Sequence, residues 1–391
     1  MDFSYTAEEE GFRAKLVTFL EEHLTEEIAR QNWEDLGVGP EGREFSRKLS
    51  ANGFLGMSWP REYGGQGLSP SYEFILLDEL GKRGAHVPLD IGYTMIGHTI
   101  LRRGSEEMKR EFLPRIIAGE IEFGLGYTEP NAGSDLAAME MRVTEDENDF
   151  IINGQKTFNT ECHYAEYHWL AAKTDLSSDI PAHRSISLFV VDMDSPGITV
   201  RPLWAMSGER TNEIFYDDVR VPKNRLVGEK NKGFYYMMEA LGSERNHVFI
   251  PSHVRYILDK LIQYVKETTF NGKPLGQESL VQHKLAQAAM DLEVVTVLAE
   301  YSRWLEMNEM NMTWQPEATK LMQAELLQRL ANAGMEILGP FSQLQEGSPW
   351  VPLKGMIERL HCHAFVATIG AGTSEINRNV IAQRGLGLPR A

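Results

Sequence analysis

The hydrophobic periodicity of this chain changes twice, and that double change limits its fold more than any other feature. Up to about residue 119 apolar side chains recur at helical spacing, as in "EEEGFRAKLVTFLEEHL". From about 121 to 230 the chain alternates in short runs such as "SISLFVVDMD", which is typical of strands. From 232 to about 384 the helical spacing returns. Helices, then strands, then helices predict three consecutive units rather than an alternating α/β sheet.

The predicted fold is therefore mainly α with a middle β domain. We expect an N-terminal helical domain over 1–120, a small antiparallel sheet or barrel over 121–231 and a C-terminal helical bundle over 232–391. A chain of 391 residues is long enough for two or three such packed domains. In "FIINGQKTF" the Asn153-Gly154 pair is typical of a two-residue hairpin turn and predicts one there.

Composition excludes several classes of partner. The formal net charge of -17 argues against nucleic acid, because binding phosphates needs a basic face. Two cysteines, Cys162 and Cys362, are too few for a disulfide framework, and we expect both to be buried. No basic segment followed by an apolar one begins the chain, and no apolar run reaches about 18 residues. We therefore expect no membrane segment and a cytoplasmic protein.

The glycine-rich stretch "IGAGTSEINR" (369–378) has more than one interpretation. It resembles half of a dinucleotide fingerprint if "HAFVATI" before it is a strand, but the third glycine and a later acidic residue are missing. It also suits an anion-binding turn, with the N–H groups of Gly370, Ala371 and Gly372 facing a ligand and a helix starting at Thr373 or Ser374. An ordinary glycine turn between two helices is an equal alternative.

A carboxylate in "YYMMEALGSERNHVFI" lies on an apolar helical face. Met237, Leu241, Glu244 and Val248 fall at i, i+4, i+7 and i+11, so they share one side of a helix. Apolar surroundings disfavour the charged form of Glu244 and should raise its pKa toward the range useful for proton transfer. A buried ion pair between Glu244 and a neighbouring arginine is the alternative.

Two further stretches carry polar side chains that suit ligands. "LGYTEPNAGSDLAA" (125–138) combines hydroxyls, small residues and carboxylates, a composition that suits contact with a flat polar ligand. "ERLHCHAF" (358–365) holds His361, Cys362 and His363, but residues two apart diverge on a helix and no second ligand pair stands out. We therefore predict no metal site.

Taken together, five stretches of the chain resemble the acyl-CoA dehydrogenase family over essentially its whole length. They are "YTEPNAGSD" (127–135), "GQKTFNT" (154–160), "TNEIFYDDVRVPKNRLVGE" (211–229), "LGSERN" (241–246) and "GAGTSEINR" (370–378). The resemblance implies an N-terminal helical domain, a small antiparallel β-barrel and a C-terminal four-helix bundle. This agrees with the order of helices and strands predicted from periodicity.

The resemblance also implies a reaction and its partners. Members of the family are FAD enzymes that remove hydrogens from Cα and Cβ of an acyl-CoA thioester to form a trans-2-enoyl-CoA. They are oxidoreductases acting on CH–CH groups in lipid and fatty acid metabolism, and they pass electrons to an electron-transferring flavoprotein. The expected assembly is a homotetramer or dimer, with a hetero-oligomer as the alternative.

By position, the resemblance assigns most of a binding site. The expected FAD contacts are Leu125, Tyr127, Thr128, Gly133, Ser134, Phe158, Asn159, Thr160, Thr373 and Glu375. The expected substrate contacts are Ser134, Arg245, Ala371 and Gly372, with the Ala371 N–H helping to hold the thioester carbonyl. Phe158 stands where the family often has a tryptophan beside the flavin ring.

The catalytic carboxylate is not at its commonest position. Many members carry a glutamate just before the "GTS" turn, where this chain has Ala371. A branch exemplified by isovaleryl-CoA dehydrogenase instead supplies the base from a Glu-Arg pair on the first helix of the C-terminal domain. Glu244-Arg245 matches that pair, so Glu244 is the predicted base.

The match departs from the family in "YVKETTFNGKPLGQES" (264–279). The family commonly has Glu-Arg and Phe-Gly pairs here, and the arginine reaches the FAD pyrophosphate of a neighbouring subunit; this chain has Glu267-Thr268 and Asn271-Gly272. Such features resemble bacterial members that act on bulky or branched acyl chains, some of them heterotetramers. A half-site or non-catalytic subunit is therefore one alternative, and an acyl-CoA oxidase on the same scaffold is another.

Overall fold

The structure is a computed structural model that describes residues 1–29, 39–85, 91–177, 179–248, 250–270 and 272–389. Within these ranges the side chains of 243, 244 and 246–248 lie outside the description.

The chain begins with a helical layer. Its helices are α1 (Ala7–His23), α2 (Pro40–Ala51), α3 (Ser71–Gly81), α4 (Gly97–Arg103) and α5 (Glu106–Ile117). The start of α1 is fixed by a capping box, in which Thr6 Oγ1 accepts from Glu9 N at 3.3 Å and Glu9 Oε2 accepts from Thr6 N at 2.7 Å. The largest fully buried side chains of this layer include Phe45, Trp59 and Phe112, which belong to one core.

A curled sheet follows. Its strands are β1 (Phe123–Gly126), β2 (Arg142–Glu145), β3 (Asp149–Lys156), β4 (Tyr167–Lys173), β5 (Ile186–Asp192), β6 (Ile198–Trp204) and β7 (Arg210–Pro222). Hydrogen-bonded neighbours run in the order β1-β4-β2-β3-β7-β6, and β5 pairs with β4. Most pairs are antiparallel, as predicted, whereas β1 and β2 each run parallel to β4. The parallel pairs join strands far apart in sequence, which hairpin signals cannot detect.

The hairpin predicted at Asn153-Gly154 is wrong, because both residues lie inside β3. The pairing with β7 shifts between Ile152 and Gly154, which marks a β-bulge, and Gly154 has a φ of 142° that suits glycine. Asn153 serves the same irregularity, since its Nδ2 donates to Asp218 Oδ1 and its Oδ1 accepts from Asp218 N, both at 2.9 Å. The Asn-Gly signal thus reports a bulge rather than a turn.

Helices return after the sheet. They are α6 (Gly233–Val248), α7 (Pro251–Glu267), α8 (Ser279–Met307), α9 (Gln315–Leu338), α10 (Met356–Ile369) and α11 (Ser374–Val380), with a short ribbon of β8 (Thr269–Phe270) and β9 (Lys273–Pro274) after α7. Within the described residues, α7 to α10 pack as a four-helix bundle around Leu261, Leu292, Leu330 and Leu360. Helix α6 instead buries Met237 and Ala240 in the core of the N-terminal layer.

This order confirms the predicted architecture of helical domain, middle β domain and four-helix bundle. None of the helices in the described ranges combines the length and apolar character needed to cross a lipid bilayer. The limits proposed for the three domains remain a prediction.

Two smaller expectations are wrong. The stretch "HAFVATI" is not a strand but the second half of α10, so the segment before the glycine turn gives no support to a dinucleotide fingerprint. Cys162 is buried as expected, whereas Cys362 is only partly buried, because its side of α10 is not fully covered.

Candidate active site

The glycine turn at 370–373 joins α10 to α11 through two left-handed residues. Ala371 has a φ of 52° and Gly372 a φ of 91°, and Thr373 then returns to an extended conformation. Thr373 caps α11, since its Oγ1 accepts from Ile376 N at 3.2 Å. Left-handed backbone costs a residue with a Cβ roughly 1–2 kcal/mol, so surrounding contacts must hold Ala371 in place.

Those contacts come from side chains that donate hydrogen bonds to the carbonyl oxygens of the turn. Arg245 Nε donates to Ala371 O at 2.9 Å, and Lys320 Nζ donates to Gly372 O at 2.6 Å. Asn377 Nδ2 donates to the same Gly372 oxygen at 2.8 Å. Side chains of three helices, α6, α9 and α11, therefore hold the turn.

Both cationic side chains are buried, and Arg245 is paired with Glu317. Arg245 Nη1 lies 3.2 Å from Glu317 Oε1, and both side chains are nearly inaccessible. Lys320 has no exposed surface. Glu317 and Lys320 stand three residues apart on α9, so they face the same direction.

Glu317, Lys320 and Asn377 were not predicted from the sequence. A signal for the first two exists at the start of α9, where both charges are interleaved with Ala318 and Leu321, which are buried. Charges on the buried face of a helix require partners, and this rule could have marked the pair.

The predicted base, Glu244, belongs to α6, but its side chain lies outside the described residues. Met237 and Leu241, which share its predicted face, are buried as the helical phase requires. Arg245, which is expected to contact substrate, has protein partners in Ala371 and Glu317. The position of Glu244 next to Arg245 therefore puts its backbone close to the turn.

Two segments predicted to hold FAD meet in the β domain. Thr157 N donates to Thr128 O at 3.0 Å, and Asn159 Nδ2 donates to Leu125 O at 2.7 Å. Their meeting is not evident from sequence distance, because about 30 residues separate the segments around 125–128 and 157–160. The structure thus brings Leu125, Thr128 and Asn159 into one place.

A buried ion pair fixes the same junction. Lys156 Nζ donates to Tyr127 O at 3.1 Å and to Glu129 Oε1 at 2.8 Å. Burial lowers the pKa of Lys156 to about 8, while Glu129 acts in the opposite direction. Glu129 also accepts from Met141 N at 3.0 Å, so its carboxylate joins the residue before β2, strand β3 and the predicted FAD segment.

Phe158 lies beside this junction in an unusual conformation. Its φ is 57° and 63% of its surface is exposed. Thr160, which is partly buried, donates from Oγ1 to Thr211 Oγ1 at 3.3 Å. Asn159 Oδ1 is buried and meets no donor among the described residues. An exposed ring next to hydroxyls and an unused acceptor can receive a flat polar ligand.

Three further predicted contacts are accessible, whereas the side chain of Tyr127 is buried. Gly133 and Ser134 are exposed on the loop after β1. Glu375 is also exposed, and hydrogen bonds from its own N–H and from Thr373 lower the pKa of its carboxyl. The structure therefore leaves these three positions open to a ligand.

One contact joins α10, the helix before the glycine turn, to the β domain. His363 Nδ1 on α10 lies 2.6 Å from Glu209 Oε1 in the β6–β7 connection. This polar contact accounts for one histidine of "ERLHCHAF". Over the described ranges no group of His, Cys, Asp and Glu could hold a metal ion.

Comparison with known proteins shows the family of the chain. Sequence models of three acyl-CoA dehydrogenase domains match it: the N-terminal domain at 6–120, the middle domain at 124–219 and the C-terminal domain at 231–386. Acyl-CoA dehydrogenase FadE26 of Mycobacterium tuberculosis is 34% identical over 399 residues, which cover 100% of both chains.

Solved structures agree. A chain of the ChsE4-ChsE5 complex from Mycobacterium tuberculosis superposes with a TM-score of 0.89 at 34% identity, and a chain of the Tcur3481-Tcur3483 steroid ACAD with a TM-score of 0.90 at 31% identity. Both alignments cover 100% of each chain. The fold and the matching sequences define an oxidoreductase. The chain belongs to the acyl-CoA dehydrogenase family.

Proposed function

We propose that this chain is an FAD-dependent enzyme that converts an acyl-CoA thioester to the trans-2-enoyl-CoA. One observation carries the proposal: Arg245, of the Glu244-Arg245 pair, donates to the carbonyl of Ala371, 126 residues away. The helix that carries the expected base thus lies against the turn that is expected to hold the thioester carbonyl. Their adjacency supports one reaction centre formed from both.

In this proposal Glu244 takes the α proton of the acyl-CoA. Its helix buries Met237 and Leu241 on the same predicted face, and apolar surroundings raise the pKa of a carboxyl group. A general base works best when its pKa lies near the working pH. The burial of its neighbours therefore supports the assignment of Glu244 made from helical phase.

The backbone N–H of Ala371 stabilises the negative charge that develops on the thioester oxygen. This role needs no side chain, so alanine can replace the glutamate of other members. Losing one comparable donor costs on the order of 3 kcal/mol in enzymes that depend on it. Arg245 holds Ala371 in its left-handed conformation. This contact supports a turn in which the direction of the Ala371 N–H is fixed before the substrate binds.

Membership of the family implies FAD, which when bound supplies the acceptor for the hydride that leaves Cβ. The residues present fit such a group. Phe158 offers an exposed ring, Thr128 and Thr160 are partly exposed hydroxyls, and Asn159 Oδ1 is an acceptor without a partner in the described part of the chain. We assign Phe158 to cover the ring and Thr160 to hydrogen-bond beside it.

We further propose an electron-transferring flavoprotein as the acceptor of electrons and a bulky acyl group as substrate. The similarity to a steroid ACAD supports the bulky acyl group. A hetero-oligomer is a second candidate assembly, because Thr268 at the end of α7 cannot supply the cation that other members use for a neighbour's pyrophosphate. Similarity to chains of two-protein complexes favours the same assembly.

The test begins with the chain expressed and purified alone. Bound flavin is released and counted per chain, and the yellow protein is mixed anaerobically with a panel of straight, branched and steroid-derived acyl-CoAs. Bleaching of the flavin band with formation of the enoyl-CoA is the expected result. Flavin that stays oxidised with every thioester contradicts the proposal, and hydrogen peroxide formed in air without another acceptor indicates the oxidase instead.

If the isolated chain lacks flavin, the half-site alternative is tested directly. The chain is co-expressed with a second acyl-CoA dehydrogenase-like chain as candidate partner, and flavin is counted again. Recovery of flavin and turnover only in the mixture assigns this chain to a hetero-oligomer.

A further inference from the structure

Lys320 binds a backbone carbonyl of the glycine turn and can therefore control the conformation of that turn. Its Nζ donates to Gly372 O at 2.6 Å, and the side chain has no contact with solvent. A lysine is rarely buried without a specific partner, because removing an ammonium group from water is costly. Here the partner includes a backbone carbonyl of the turn itself.

The direction of a carbonyl fixes the direction of the following N–H. In a trans peptide the C=O and N–H groups point in opposite directions. The bond from Arg245 to Ala371 O therefore aims the Gly372 N–H away from α6. The bond from Lys320 to Gly372 O likewise aims the Thr373 N–H away from α9. Both peptide planes that follow Ala371 are set by buried cations.

The hydrogen bonds from Arg245 and Lys320 also hold the turn in its strained, left-handed conformation. Gly372 has a φ of 91°, and a Cβ there would come within 3.2 Å of Arg245 Nη2, so the turn and the cations are tightly packed. Ala371 is left-handed without the freedom of glycine. Without Lys320, the Gly372 carbonyl keeps only the donor from Asn377, so the left-handed Ala371–Gly372 backbone is held less firmly and the Ala371 N–H can change direction.

We propose that Lys320 is a positioning residue for α-proton removal, which holds the backbone of Ala371 and Gly372 in the orientation that polarises the thioester carbonyl. The inference rests on the proposed acyl-CoA dehydrogenation. Lys320 acts through the backbone and does not itself touch the substrate. Its contribution should appear in the proton-transfer step and not in the affinity for the thioester.

The test uses Lys320→Met, which keeps an unbranched side chain of nearly the same length and removes its donor and charge. The probe is a 3-thiaacyl-CoA whose chain matches the acyl-CoA that the unaltered protein oxidises fastest. Sulfur in place of Cβ prevents hydride loss, so exchange of the α proton with D₂O, followed by mass spectrometry, reports proton removal alone. The infrared stretch of a ¹³C-labelled thioester carbonyl reports its polarisation in the bound state.

We expect Lys320→Met to keep its FAD content and to bind the probe within about 3-fold of the unaltered protein. Exchange should fall about 100-fold, the size of effect that a misplacement of about 1 Å can cause. The carbonyl stretch should move back toward its value in water. The matched control is Arg329→Met. Arg329 lies on α9, as Lys320 does, and is an exposed cation paired with Asp291 of α8. Its replacement should change neither the exchange rate nor the carbonyl stretch.

Exchange and carbonyl stretch that equal those of the unaltered protein overturn the inference. If Lys320→Met does not fold, Asn377→Leu decides, since it removes another donor to the same Gly372 oxygen. Unchanged exchange in that variant rejects the role, as does loss of folding in both, which would assign the contacts to stability alone. Absence of exchange in the unaltered protein counts instead against the proposed function.

Discussion

Arg245 Nε donates to the carbonyl oxygen of Ala371 at 2.9 Å, which joins the first helix after the sheet to the glycine turn near the end of the chain. The same guanidinium reaches Glu317, so three segments meet at one side chain. The sequence suggested a Glu-Arg pair and a turn with alanine at the usual place of the base. Their contact in space makes these two features parts of one arrangement.

Replacing Arg245 should destabilise the protein strongly. Arg245→Met removes the grip on Ala371 O and leaves Glu317 buried without its cation, and breaking a buried ion pair costs about 3–5 kcal/mol. Urea unfolding with a fixed excess of FAD measures the free energy of unfolding of each variant. The double variant Arg245→Met, Glu317→Gln should recover part of the loss, because it removes the unpaired charge.

The matched control for that pair is Arg378→Met, which breaks an exposed pair with Glu325. Exposed pairs contribute about 0–1 kcal/mol, so this variant should unfold almost like the unaltered protein. Equal losses for Arg245→Met and Arg378→Met would mean that the buried pair does not hold the turn.

Phe158 should matter for the flavin and not for folding. Its ring is largely exposed, and substitutions at such positions change stability by less than about 0.5 kcal/mol. Ring contacts contribute roughly 0.5–1.5 kcal/mol, so Phe158→Ala should weaken FAD binding about 3- to 10-fold in a titration of the apoprotein. Trp350→Ala, at an aromatic residue that is 74% exposed, is the control and should leave FAD affinity unchanged. Equal affinity in both variants would remove Phe158 from the flavin site.

His168 should make the protein sensitive to acid. Burial lowers its pKa from 6.5 to about 3, and the nearby Lys156 acts in the same direction. Between pH 6.5 and about 3, His168 therefore binds a proton in the unfolded chain but not in the folded chain. The free energy of unfolding consequently falls as the pH falls through this window. His168→Asn removes the titrating group and keeps a polar partner for Tyr216.

The two proteins are compared by urea unfolding at pH 7, 6 and 5. The unaltered protein should lose up to about 1.4 kcal/mol per pH unit more than His168→Asn below pH 6.5, while carboxyl groups contribute equally to both. Parallel curves for the two proteins would show that burial of His168 has no such effect.

The order of domains could be predicted from sequence because it rests on local periodicity. Apolar residues recur at helical or strand spacing whatever their distant partners are, and so the helices, the sheet and the helix start after Thr373 were found. Local signals failed where they have two outcomes. Asn153-Gly154 can form a hairpin or a bulge, and only the pairing with β7 decides between them.

The candidate site was predictable as far as the resemblance reached. The positions around Thr128, Phe158 and Ala371 were assigned by motif, whereas Glu317 and Lys320 were missed because no motif includes them. Lys320 contacts the turn directly and Glu317 contacts Arg245, and both lie on a helix about 50 residues before the turn in sequence. Such contacts depend on how α9 packs against α6, which periodicity alone does not specify.

The most direct test of the account compares the unaltered protein with Glu244→Gln, each loaded with FAD and mixed anaerobically with the best acyl-CoA in a stopped-flow spectrometer. Glu244→Gln should keep the fold, the flavin and the affinity for the thioester, while flavin reduction should fall by at least about 1,000-fold, because the base that removes the α proton is gone. Reduction at the rate of the unaltered protein would contradict the central claim that Glu244 is the catalytic base.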